Sequence, residues 1–98
     1  MNEEQNLSKI ENTFKNWDSL PKTVSAPIVR ASFTLDLLDI VDDQATFEAA
    51  LEGLIERATF TTQTHFVVGT FKKNRDLVNT DAFVHWCEAN AHEFRGEG

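Results

Sequence analysis

The sequence predicts an all-α protein, a compact bundle of four or five helices, on three observations. Leu7, Ile10, Phe14 and Trp17 recur at spacings of three, four and three, the repeat of one helical face. Asp42 and Asp43, good N-cap residues, precede a segment whose Phe47, Ala50, Leu51, Leu54 and Ala58 share a face. Thr80 and Asp81 precede a further stripe of Phe83, Val84, Cys87, Ala91 and Phe94. The 98 residues fall short of the ~150 used as a prior for one domain, so residues 1–98 are read as a single domain. With 41% hydrophobic and 26% charged residues, the chain carries enough apolar content to fold.

In chain order, the first helix spans about 5–18, and Leu20-Pro21 ends it because proline pushes the residue before it out of helical geometry. Ser25-Ala26-Pro27 reads as the next helix start, with Ser25 as cap and Pro27 in the first turn. The segment after it reads two ways. Val29, Ala31, Phe33, Leu35 and Leu37 alternate with polar residues as a strand does, whereas a helix here has apolar residues all round and must be largely buried. The helix at about 43–58 is the clearest. Thr59 to Thr64 breaks it with four threonines, and the β-prone run to Phe71 reads as a strand or a shorter helix carrying Phe66, Val67 and Phe71. Residues 72–79 read as a polar turn around Leu77-Val78, and Gly96-Glu97-Gly98 ends the last helix. The alternative architecture is α+β, with strands near 29–37 and 60–71; a two-stranded sheet is marginal alone, so that alternative implies a homodimer that widens it.

Sixteen acidic against nine basic residues give a formal charge of −7, which disfavours direct binding to nucleic acid or to an anionic membrane surface. Residues 35–58 hold Asp36, Asp39, Asp42, Asp43, Glu48, Glu52 and Glu56 against Arg57 alone, so this stretch carries most of the charge. Glu48, Glu52 and Glu56 recur every four residues, about 6 Å apart along one helical edge. Such a row suits a basic protein surface or stands in for phosphates; it also serves simply as a solvated face. Lys72, Lys73 and Arg75 form the opposing cluster, a solubilising turn or a counterpart to the acidic helix. Trp86, at the edge of its helical stripe, is a candidate interface anchor.

Catalytic signals are weak. His85, Glu88 and His92 project from one face of a continuous last helix, which is a conceivable metal set, but no H-E-x-x-H pattern is present and a solvated polar face is the simpler reading. Cys87 is the single cysteine, so no internal disulfide forms, and it reads as a small buried hydrophobe in a chain suited to a reducing, cytoplasmic setting. No serine lies in a nucleophile elbow and the four glycines form no phosphate loop. No catalytic, metal or cofactor site is expected. The acidic, polar N-terminus does not read as a secretory signal, and the most apolar stretch, 28–41, is interrupted by Arg30, Asp36 and Asp39, so no membrane span is expected.

The stretch Asp39-Ile40-Val41-Asp42-Asp43-Gln44-Ala45-Thr46-Phe47-Glu48-Ala49-Ala50-Leu51 resembles part of the small phage anti-sigma factors of the AsiA type. That resemblance implies a helical protein that binds the sigma subunit of bacterial RNA polymerase. Together these readings predict a small acidic non-enzymatic protein that binds a cytoplasmic protein with a basic surface, as an inhibitor or regulator of phage or mobile-element type. The expected contact residues are Asp36, Asp39, Asp43, Glu48, Glu52, Glu56 and Trp86. The alternatives are a nucleic-acid mimic blocking a nuclease or polymerase, and a metal-dependent enzyme using the His/Glu face.

Overall fold

The computed structural model describes residues 2–20 and 27–94. Among them are six α-helices and one 3-10 turn, and no strand: α1 (Asn2–Asp18), α2 (Pro27–Ile40), α3 (Gln44–Arg57), α4 (Phe60–Lys73), the 3-10 turn (Arg75–Val78), α5 (Asp81–Ala89) and the single-turn α6 (Ala91–Phe94). The all-α expectation holds and the α+β alternative is overturned. Helices α1, α2, α4 and α3 follow one another around a four-helix core, so α2 and α3 occupy opposite corners; α5 packs against α3 from outside that ring.

Both ambiguous segments are helical for the same reason. From residue 31 onward in α2 the buried positions are Thr34 and Leu37, continued by Val41 just past its end, with Leu38 half-buried between them; in α4 they are Gln63, Phe66, Val67 and Thr70. Both sets follow the helical repeat once polar residues are included. Threonine is also made compatible with the helix by local bonding: Thr64 and Thr70 donate to the carbonyls of Phe60 and Phe66 at 2.9 and 3.0 Å. Thr59 caps α4 by accepting from the Thr62 amide. The expected Ser25 cap and the terminal glycines lie outside the described residues.

The core joins Ile10, Phe14 and Trp17 of α1 to Phe47, Leu51 and Leu54 of α3, with Leu37, Phe66 and Trp86. The rings of Phe47 and Phe66 stack at 5.6 Å between α3 and α4. Two glycines allow close helix approach: a Cβ on Gly53 would collide with the Phe14 ring, and one on Gly69 would sit 2.8 Å from a Leu38 methyl. Asp43 caps α3 as expected. Its carboxylate accepts the Thr46 amide at 2.8 Å while the buried Thr46 hydroxyl accepts the Asp42 and Asp43 amides at 3.1 Å.

The last helix departs from expectation twice. It ends at Ala89, with the Asn90 side chain bonding back to the Trp86 carbonyl at 2.8 Å, and α6 follows. Its inward stripe is also rotated: Trp86 is buried, Ala82, Phe83 and Cys87 are partly buried, and Val84 is 53% exposed.

Candidate functional site

The acidic residues divide into two surfaces and a cap. Glu48, Glu52 and Glu56 line the solvent side of α3, where Phe47, Ala50, Leu51 and Leu54 point the other way into the core. Glu52 and Glu56 are exposed and Glu48 is half-buried. Glu56 lies 3.6 Å from Arg57, while Glu48 and Glu52 make no ion pair among the described residues. Asp36 and Asp39 are exposed on α2, beside a shallow groove of about 350 Å³ shared with Lys9, Asn12 and Asn16 of α1. Because α2 and α3 occupy opposite corners of the ring, these aspartates do not extend the glutamate row, although the sequence joins them in one acidic stretch. Asp43 is committed to the α3 cap, and Asp42 accepts from Asn6 Nδ2 at 2.8 Å.

Trp86 is not the exposed anchor that its position in the sequence suggested. It is 3% exposed, its indole N–H donates to Gln63 Oε1 at 2.8 Å, and its ring stacks on Phe60 at 5.6 Å. The polar edge of the indole is satisfied inside the protein, which removes the main cost of burying it. An open depression of about 670 Å³ among Ile55, Gln63, His85, Trp86, Glu88 and Asn90 covers this pair. Both ends of the Gln63 amide are engaged there, the nitrogen donating to the Ala58 carbonyl at 2.8 Å.

His85, Glu88 and His92 are exposed, and the break at Asn90 moves His92 off the helix that carries the other two. The single-face geometry expected of a continuous helix is therefore lost. Among the described residues no group of three or more His, Cys, Asp or Glu is arranged to hold a metal ion. Cys87 is half-buried, and burial, with a smaller contribution from the Glu88 carboxylate, pushes its thiol above the usual value and away from a reactive thiolate.

The basic cluster is divided as well. Lys73 Nζ donates to the carbonyls of Leu38 and Val41, both at 2.6 Å, and so closes the C-terminal end of α2. Lys72 and Arg75 are exposed and make no ion pair among the described residues.

A surface that the sequence did not announce lies on α4 and α5. Val68 and Phe71 of α4 are 45% and 54% exposed beside the 53%-exposed Val84 of α5. Between the two helices runs an apolar groove of about 260 Å³ lined by Thr64, Val67, Val68, Phe71, Phe83 and Cys87. The buried positions of α4, Gln63, Phe66, Val67 and Thr70, occupy one arc of the helix, and Val68 and Phe71 are left exposed outside it.

The fold and surface define a small all-α bundle with an acidic edge on α3 and an apolar groove between α4 and α5. Comparison with protein-family models, curated proteins and solved structures finds no match to this chain. No helix among the described residues is long and apolar enough to cross a membrane.

Proposed function

We propose that this chain is a non-enzymatic binding protein that docks a cytoplasmic protein partner with a basic surface, acting as its inhibitor or regulator, of phage or mobile-element type. One observation carries the reading: Glu48, Glu52 and Glu56 stand in register on the outer side of α3, and Glu48 and Glu52 make no ion pair among the described residues. Like charges at this spacing cost a few tenths of a kcal/mol per pair in the free protein, and a cationic partner removes that cost on binding. Asp36 and Asp39 form a separate, weaker element, because they sit on the opposite corner of the ring.

The test is affinity capture from a cytoplasmic lysate with three forms of the full chain: wild type, the triple variant Glu48→Lys/Glu52→Lys/Glu56→Lys, and Asp36→Lys/Asp39→Lys. The reading expects a partner that wild type retains, that rising salt elutes, and that the triple variant loses while the aspartate variant keeps most of it. Equal capture by the triple variant overturns it. A captured nuclease or polymerase that DNA or RNA displaces from the row assigns the row to nucleic-acid mimicry instead.

A further inference from the structure

Helix α5 separates two depressions. Phe83 and Cys87 line the apolar groove on its α4 side, whereas His85, Glu88 and Ala89 line the larger depression, about 670 Å³, that it shares with Ile55 of α3. The floor of the larger one offers little for hydrogen bonding. The Trp86 indole N–H donates to Gln63, the Gln63 nitrogen donates to the Ala58 carbonyl, and the Asn90 side-chain nitrogen donates to the Trp86 carbonyl. What remains for a ligand is apolar surface, with the 46%-exposed Ile55 on the α3 wall and the exposed Ala89 on the α5 wall.

Both walls carry negative charge. Glu52 and Glu48 precede Ile55 by three and seven residues, so they share its face of α3, and Glu88 stands on the α5 wall. None of the three makes an ion pair among the described residues. Among the described residues no lysine or arginine lines the depression, and His85 is the basic side chain on its rim. Arg57, the cation of α3, is turned to Asp18 of α1. An acidic rim around an apolar floor complements a segment of the opposite make-up, an apolar side chain with cations on either side. A purely cationic segment would leave Ile55 in water, and a purely apolar one would cover carboxylates without pairing them.

We propose that the depression between α3 and α5 takes an apolar side chain of the basic partner, whose flanking lysines or arginines pair with Glu52 and Glu88. This rests on the reading of the glutamate row as a docking surface and adds to it an anchor that charge alone does not supply. The probes are two tetralysine peptides, one with a central leucine and one with a central serine, titrated into the full chain at fixed salt and followed by nuclear magnetic resonance. The leucine peptide is expected to bind about fivefold more tightly, the preference that partial burial of one leucine gives. It should shift the signals of the Trp86 indole and Ala89 and leave those of Val68 and Val84 unmoved. Ile55→Ser and Ala89→Lys, both at exposed positions, are expected to keep the circular dichroism of the wild type and to remove the preference. Equal binding of the two peptides to the wild type, or none, overturns the proposal. So does a leucine preference that Ile55→Ser and Ala89→Lys both retain, because the anchor then lies elsewhere. The row itself fails, and the proposal with it, when the triple variant Glu48→Lys/Glu52→Lys/Glu56→Lys binds the serine peptide as the wild type does.

Discussion

Arg57 grips Asp18 with two hydrogen bonds, Nε to Oδ1 at 2.7 Å and Nη2 to Oδ2 at 3.0 Å, and so ties the end of α3 to the end of α1. The same guanidinium donates to the Gly53 carbonyl at 3.0 Å and lies 4.5 Å from the centre of the Phe14 ring. Arg57→Ala removes a carbonyl bond and a cation–π contact together, and is expected to cost roughly 1–2 kcal/mol by chemical denaturation. The Arg57 hydrogen bond holds the Asp18 carboxyl below its usual range. The stabilisation from this shift is present above the usual carboxylate range and is lost as pH falls through the lowered value. Asp18→Asn should therefore reduce the loss of stability in acid; an unchanged acid limb would assign that loss to other carboxylates.

The two close helix contacts respond differently to an added methyl group. At Gly53 the methyl meets the ring of the buried Phe14, which packs against Arg57 and Trp17. Gly53→Ala is expected to destabilise by about 1–3 kcal/mol despite alanine's better helix propensity. At Gly69 the obstacle is the end of the flexible Leu38 side chain. Gly69→Ala is expected to be near neutral, because a gain of up to ~1 kcal/mol in propensity offsets a small shift of Leu38. Melting temperatures of the two variants decide whether the contacts differ in this way.

The α3 cap combines an expected binding residue with a structural one. Thr46 is fully buried and its hydroxyl accepts two amides, so Thr46→Val keeps the volume but strands those donors, at an expected cost of about 1–3 kcal/mol. Asp43→Ala should cost about 1 kcal/mol through loss of the cap. Any loss of partner binding in Asp43→Ala should follow the lost stability, whereas the glutamate-row variants should lose binding while staying folded. Thermal melts run beside the binding assay separate the two.

The buried Trp86–Gln63 bond gives a spectroscopic handle. Gln63→Leu removes the acceptor that the indole uses and is expected to destabilise by about 1–3 kcal/mol. Trp86→Ala should cost about 3–5 kcal/mol, as expected of a core aromatic. Tryptophan fluorescence of the wild type should show a component poorly accessible to a neutral quencher. Ready quenching of Trp86 in a Trp17→Phe background would contradict its burial.

The α1 seam, the Asp43 cap with its helix and the Thr80 cap were legible because each is a local pattern of a few residues. Helices α2 and α4 were not, because their inward faces include Thr34, Gln63 and Thr70, which a count of apolar residues passes over. Two of these hide their polar groups in bonds that sequence does not announce: Thr70 to its own helix, Gln63 to Trp86 and Ala58.

By itself the sequence determined the helical class, the net charge and the glutamate row on one edge of α3, since these depend on neighbours within about two turns. Only the tertiary structure decided that Asp36 and Asp39 stand apart from that row, that Lys73 is spent closing α2, and that Trp86 is core while Val68, Phe71 and Val84 face solvent. The physical reason is common to all of these: which side of a helix is the outside is set by the helices packed against it, and residues far apart in the chain supply them.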